Sequence, residues 1–538
     1  MFHLDSIPGA LFEFSNAPLL TGILRGVEKE SLRTSANGQL AQSSHPEALG
    51  SALTHPQITT DFSESLLEFI TPPSHRIDEV IASLDTTHRF THAQLPDEML
   101  WCHSMPCALP ADEDIPVGRY GTSNIGRMKT VYREGLGHRY GRVMQTVAGI
   151  HYNFSLPDAF WAFLHAHENS SLNLHDFRTS RYFDLIRNFR RHYWLLIYLF
   201  GASPAVCGSF VQGRNHDLAK FNDSDSTLYM PHATSLRMGD LGYQSTTQEA
   251  LYVCYDQLPT YVQTLVSAIK TPYPPYQQLG VRDSEGNYRQ LNTGLLQIEN
   301  EFYSAIRPKR TARSGETALM ALCHRGVEYI EVRCLDLNPY ESLGISRAQM
   351  QFLDTFLLYC LLHPSPKSTR GECKFILDNQ KKVVKRGREP GLMLHSTEHG
   401  ELSLQTWAEQ LLKALEPVAD MLDHAHSSGD YRQSLQQQAA KVADPEQTPS
   451  ARILADMREQ QLSFAQFASQ VSQQQSARFK QRPLEGEALK AMQASARKSL
   501  QDQADLEAAD SLAFDEYLAR YYEQYGNCET AAEEAVVE

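Results

Sequence analysis

From Met144 to Leu156 the chain alternates, and that alternation constrains the fold more than any other stretch of the sequence. Met144, Thr146, Ala148, Ile150, Tyr152, Phe154 and Leu156 make one nearly apolar set; Gln145, Gly149, His151, Asn153 and Ser155 fall on the other. In extended backbone, i and i+2 share a face, so the spacing predicts a strand with one side in a core. The pattern returns with acids on the polar side. Glu28 and Glu30 share a face in Gly22–Glu30, and Glu68 opposes Leu67 and Phe69, with Asp61 shortly upstream. Glu299, Glu301 and Tyr303 align in Gln297–Tyr303, and Glu331 and Arg333 oppose Ile330, Val332 and Cys334. Repeated one-sided strands predict an antiparallel sheet with one covered face.

Between these runs lie segments of helical spacing, Arg187–Phe200 and Ser346–Leu362. After about Leu402 the texture changes to Ala, Gln, Glu and Leu with few glycines, a run of amphipathic helices broken near Pro445–Pro449 and at Arg482-Pro483. The reading is an α+β protein in two parts, residues 1–400 carrying the chemistry and 401–538 a helical C-terminal extension packed on it. The acidic end from Ala531 to Glu538 is expected to fray.

An antiparallel sheet with one solvated face would also alternate, and taken singly each segment fits that reading. The residue types argue for more, because the polar faces collect Glu, Asp, His, Gln, Asn and Tyr. Carboxylates about 4 Å apart repel by roughly 4 kcal/mol per pair at an effective dielectric near 20. A cation between them removes that cost, and oxygen donors with one imidazole suit Mg²⁺ or Mn²⁺ better than zinc. Ile306–Ser314 packs Arg307, Lys309, Arg310 and Arg313 directly after an acid-bearing segment, a set able to neutralise triphosphate oxygens. An exposed basic loop is the alternative. Gly121–Gly126 has the glycine spacing of a P-loop but lacks its Lys-Ser/Thr ending, and no strand-linked G-x-G-x-x-G is visible. Cys102, His103 and Cys107 offer three thiol or imidazole ligands with no fourth in view, short of a structural zinc set.

A net charge of −15 argues against nonspecific nucleic-acid binding. Nine cysteines without regular spacing suit a reducing compartment. The longest apolar run, Trp194–Phe200, is too short to span a bilayer, and no basic patch precedes an apolar run at the N-terminus. The expectation is a cytoplasmic protein acting on small molecules, without nucleic-acid or membrane partners.

The same segments carry a resemblance. RGVEKESLR, TTDFSESLLEFITP, YREGLGHRYG, MQTVAGIHYNFSLP, LFGASPAVCGSF, ATSLRMGDLGY, LQIENEFYSAIRPKR and GVEYIEVRCLDLNP closely resemble the proteobacterial glutamate–cysteine ligase family, over about residues 20–340. The resemblance implies a curved antiparallel sheet of the glutamine-synthetase-like catalytic type, flanked by helices, in a monomer. It implies that ATP phosphorylates the γ-carboxylate of L-glutamate and that the amine of L-cysteine attacks the acyl phosphate, giving γ-glutamylcysteine, the precursor of glutathione. By motif position Glu28, Glu30, Asp61, Glu68, His151 and Glu331 would be metal ligands for Mg²⁺ or Mn²⁺. Arg237, with Arg333 assisting, would act on the transferring group. Tyr132, Leu136, Gln145, Tyr243 and Tyr303 would wall the cysteine pocket, and Lys309, Arg310 and Arg313 would meet ATP. A ligase taking another amine, a metal-dependent phosphohydrolase and a noncatalytic nucleotide sensor are the competing readings.

Overall fold

The computed structural model describes residues 8–106, 108–222, 226–242, 248 and 251–537, with the side chains of residues 14 and 531–537 left out. Its centre is an open antiparallel sheet. The strands are β1 (Leu24–Ser35), β2 (Ile58–Thr60), β3 (Leu66–Ile70), β4 (Glu98–Leu100), β5 (Gly149–Ser155), β6 (Ile306–Lys309) and β7 (Tyr329–Asp336). They run in the order β2-β3-β1-β5-β7-β6, with β4 pairing the far end of β1.

Register does the positioning. Glu30 lies opposite Glu68 and Glu28 opposite His151, while Glu331 pairs with Asn153. Because neighbouring strands keep the same pleat, all five ionisable side chains emerge from one face. Between Val332 and Leu335 the pairing of β7 with β5 shifts, so Arg333 and Cys334 together face His151 alone. This is a bulge, one extra residue on one strand.

The other face is oil with a few locked polar groups. Val27, Ile150, Tyr152, Phe154, Ile330 and Val332 are fully buried there. Arg25 leaves the same face of β1 and its Nε donates to Asp354 Oδ2 at 2.7 Å, both side chains fully buried. Tyr152 Oη donates to the other oxygen of Asp354, also at 2.7 Å. Lys29, between the two acids in sequence, points backward to His88 Nε2 at 2.7 Å, and burial pulls its pKa down to about 7.

Helices cover this face, and others flank the sheet on the cavity side. In chain order they include α1 (Ile77–Ala93), α2 (Asn124–Tyr140), α3 (Leu174–His192), α4 (Trp194–Phe200), α5 (Arg347–Leu362), α6 (Leu404–His426), α7 (Asp430–Ala443), α8 (Phe464–Lys480), α9 (Gly486–Ala509) and α10 (Phe514–Val537). From Gln349 to Leu362 every residue of α5 is buried, as expected of a helix enclosed by others. The same core reaches from Leu11 through the sheet to Tyr525 and Cys528 of α10. The expected helical breaks fall between α7 and the helix from Pro449, and between α8 and α9.

Two expectations change. The strand foreseen over 144–156 begins only at Gly149, and Val143–Thr146 is a 3₁₀ turn that swings Gln145 away from the sheet. The strand foreseen over 297–303 is absent, and Glu299–Glu301 is a 3₁₀ turn. The backbone of α10 is helical to Val537, and Glu538 lies outside the described residues.

Candidate active site

Two groups of donors share one imidazole at the middle of the acid-bearing face. Glu28, His151 and Glu331 offer ligand atoms within 4.8 Å of one another, and so do Glu30, Glu68 and His151. One ring nitrogen of His151 faces each group. Nδ1 lies 3.1 Å from Glu28 Oε2 and 3.8 Å from Glu331 Oε1, whereas Nε2 lies 3.6 Å from Glu30 Oε1. Asn153 Nδ2 donates to Glu28 Oε1 at 2.8 Å, and the Gly149 amide donates to Glu30 Oε2 at 2.6 Å. Asp61 stands beside the second group, close enough to act electrostatically on Glu30 and Glu68, and outside the 4.8 Å set.

The charges are unevenly satisfied. Burial pushes the Glu68 carboxyl well above the ordinary range, and Glu28, Asp61 and Glu30 push it further. Burial also raises Glu30; His151 opposes the rise and Asp61 adds to it. Burial acts upward on Glu331 too, but Lys309, Arg333 and His151 hold it well below the usual value. Arg333 Nη1 is 3.2 Å from Glu331 Oε2, and Lys309 Nζ is 3.5 Å from Glu331 Oε1. Lys309 and Arg333 thus border the first group at contact distance, while in the second Arg237 and Arg333 only partly offset burial and mutual repulsion.

The donor set fits a hard divalent cation. Carboxylate oxygens outnumber the single imidazole, and His151 Nε2 is buried with no hydrogen-bond partner among the described residues. A buried polar atom left unbonded costs about 1–3 kcal/mol, which an ion beside it would offset.

A cavity of about 860 Å³ opens beside the second group. Glu30, Asp61, Arg237 and Arg333 line it, together with Tyr132, Leu136, Gln145 and Tyr303. Tyr303 Oη donates to Gln145 Oε1 at 3.1 Å. The swing of Gln145 out of β5 puts it in this wall. Lys309, Arg310 and Arg313 do not line the cavity. Lys309 sits by Glu331 on the sheet's far side, Arg310 Nε lies 3.7 Å from Glu328 Oε2, and Arg313 is exposed. Tyr243 lies outside the described residues.

Arg237 is almost wholly buried, its Nη1 3.6 Å from Asp336 Oδ1 and its Nη2 3.2 Å from the Arg333 carbonyl. Asp336 also accepts from the Ala202 amide and the Ser203 hydroxyl, both at 2.8 Å, and from Ser235 Oγ at 3.0 Å. A Cβ on Gly149 would come within 1.9 Å of Arg237 Nη2, so only glycine leaves room for the guanidinium. Sequence reasoning missed Asp336 and the role of Gly149. It also missed Arg133, which lines the cavity and donates to the Asp61 carbonyl. Arg133 sits one residue after Tyr132, and that adjacency was the available signal.

Glu299 and Glu301, which alternation grouped with the acids of the sheet, serve the fold instead. Glu301 Oε1 accepts from Arg139 at 2.9 Å and Tyr140 at 2.8 Å, and Glu299 accepts from Tyr525 at 2.5 Å. Cys102 and His103 pack against α8, where Ser472 Oγ is 3.2 Å from the Cys102 sulfur; Cys107 lies outside the described residues.

Residues 9–383 match the family model described as glutamate-cysteine ligase. A glutamate–cysteine ligase of Saccharophagus degradans is 54% identical, over 98% of this chain and 99% of its own. One of Alcanivorax borkumensis is 50% identical, over 97% and 100%. The crystal structure of glutamate–cysteine ligase from Francisella tularensis in complex with AMP superposes with a TM-score of 0.88 at 38% identity, covering 94% of this chain and 99% of that one. A bifunctional glutathione synthetase from Pasteurella multocida gives 0.68 at 27% identity, covering 87% of this chain and 54% of that one. With the acid-lined face, the paired arginines and the adjoining cavity all present, this chain belongs to the glutamate–cysteine ligase family.

Proposed function

We propose that this ligase works across the sheet face, with phosphoryl chemistry over the acids and the amine entering along the tyrosine wall of the cavity. The reaction is ATP-dependent ligation. An oxygen of the glutamate γ-carboxylate attacks the γ-phosphorus of ATP and ADP leaves. The cysteine amine then attacks the acyl carbon, a C–N bond forms, the nitrogen loses a proton and phosphate departs.

The carrying observation is the meeting of Arg237 and Arg333 with Glu30 and Asp61 in one cavity, directly beside His151. Two guanidiniums held by buried partners are fixed donors for the oxygens on which charge accumulates, and fixed donors act without reorganising. Glu28, His151 and Glu331 on one side, and Glu30, Glu68 and His151 with Asp61 nearby on the other, would hold Mg²⁺ or Mn²⁺. Bound there, such ions supply the positive charge that draws triphosphate oxygens onto an acidic face. Lys309, with its charged form favoured by Glu331, is placed to meet the nucleotide, and Arg310 and Arg313 reach from the loop that follows. Tyr132, Leu136, Gln145 and Tyr303 receive cysteine; the family resemblance adds Tyr243, which lies outside the described residues. A wall of ring edges, hydroxyls and one aliphatic side chain suits a thiol, which is polarizable and only weakly polar. Among the described residues no helix is long and apolar enough to cross a membrane, and we place the enzyme in the cytoplasm as a monomer.

The test follows phosphate release from MgATP and glutamate with and without cysteine. Release that rises steeply with cysteine, with γ-glutamylcysteine seen by mass spectrometry, is the expected result. Release indifferent to every amine would replace ligation by hydrolysis, and dependence on a different amine would replace the substrate.

A further inference from the structure

The matched family model ends at residue 383, yet the last helix reaches back to the cavity wall. Tyr522 Oη donates to the Gln297 carbonyl at 2.9 Å, and Asn292 Nδ2 bonds both that carbonyl at 2.9 Å and Tyr522 Oη at 3.0 Å. Gln297 is fully buried and does not line the cavity. Its side chain adds a second tie between α2 and the 290–303 segment, beside the one that Arg139 makes to Gln290, Asn292 and Glu301. Nε2 donates to the Tyr132 carbonyl at 3.1 Å, and Oε1 accepts from the Leu291 amide at 2.9 Å. It occupies the space left by Gly135, where a Cβ would come within 2.1 Å of Gln297 Oε1. Its own amide donates to Glu301 at 2.6 Å, and Glu301 in turn holds Arg139 and Tyr140. Gln248 closes the loop, donating to the Glu301 carbonyl at 2.8 Å and accepting from the Tyr303 amide at 3.0 Å.

We infer that Gln297, fixed from behind by Tyr522 of α10, is a positioning residue for the amine substrate, setting the distance between Tyr132 on α2 and Tyr303 across the cavity. The inference rests on the reading of that wall as the cysteine pocket. The physical reason is the bonding pattern, since no strand pairing fixes the spacing of α2 and the 290–303 segment. Arg139 ties the last turn of the helix, while the Gly135–Gln297 fit and the bond to the Tyr132 carbonyl hold it at the pocket residue itself. A wall placed about 1 Å wrong weakens what it binds without touching the phosphoryl chemistry.

The experiment measures steady-state kinetics of the full chain with each substrate varied in turn, for Gln297→Leu, Tyr522→Phe and Tyr132→Ala. Gln297→Leu keeps the volume and removes both side-chain bonds. It is expected to raise KM for cysteine about tenfold, the equivalent of one lost buried bond. KM for glutamate and for ATP should stay within twofold. The preference for cysteine over the analogue with methyl in place of the thiol should fall in parallel, a ratio that a smaller folded fraction would not alter. Tyr522→Phe, which removes one hydroxyl, should shift cysteine KM in the same direction by about threefold, and it carries the test should Gln297→Leu not fold. Equal losses for all three substrates, or no change in cysteine KM for either variant while Tyr132→Ala raises it, would overturn the inference and leave the pocket standing. No change on Tyr132→Ala would remove the pocket reading and the inference with it.

Discussion

The acid-lined face and the tyrosine wall border the same cavity but are built by different means. On the face, β1, β3, β5 and β7 hold Glu28, Glu30, Glu68, His151 and Glu331 by main-chain pairing, so a side chain's position follows from its register. On the wall, a helix, a 3₁₀ turn and an irregular segment are held by individual side chains bonding to backbone. Backbone ladders tolerate the loss of a side chain, whereas a wall pinned by single side chains does not. The face should therefore lose chemistry when mutated, and the wall should lose selectivity.

Glu331→Gln gives the sharpest test of the face. Removing this carboxylate should lower kcat by about 10³-fold, on the scale of several kcal/mol of charge stabilisation, with the far-UV spectrum unchanged. Thermal unfolding gives a readout apart from activity. Mg²⁺ at about a hundred times its Kd should stabilise the parent by about 2.7 kcal/mol, and Glu331→Gln should diminish the shift. A variant that is inactive yet equally stabilised by Mg²⁺ would detach the acids from the metal. Behind the face, Arg25→Met should cost about 3–5 kcal/mol in chemical denaturation by leaving Asp354 buried without its partner. Gly149→Ala intrudes on Arg237 and should lower kcat by about 10²-fold with little effect on cysteine KM. An effect on cysteine KM alone would move Arg237 from the face to the wall. Tyr303→Phe, which loses the bond to Gln145, should raise cysteine KM about threefold and leave glutamate-dependent phosphate release unchanged.

The same contrast explains what could be read beforehand. Alternation located Glu28, Glu30, Glu68, His151 and Glu331 because strand period and side-chain direction are locked together. It misplaced Gln145, Glu299 and Glu301, whose segments carry the same alternation but fold as 3₁₀ turns under tertiary contacts from Arg139, Tyr140 and Tyr525. Local pattern cannot register a partner more than a hundred residues away. Tyr132 and Tyr303 were recovered through the family blocks, and periodicity gave no sign that they share a wall. Gln297 lies inside both an alternating segment and a family block, yet neither singles it out, and Tyr522 lies in neither.

The bulge in β7 has a consequence for parity. Up to Arg333 the odd-numbered residues look toward the acids; past the extra residue the even-numbered ones do, since Asp336 pairs with Gly149 and Leu335 with Ile150. Asp336 reaches Arg237 only because of this phase change, and Leu335 enters the core for the same reason. Were Cys334 instead to take its turn in an unbroken pleat, a carboxylate would be sent into oil and a leucine toward the substrates. The phase of the pleat at that point is itself part of the active site, because Asp336 and Leu335 keep their faces only while one residue stays out of the ladder.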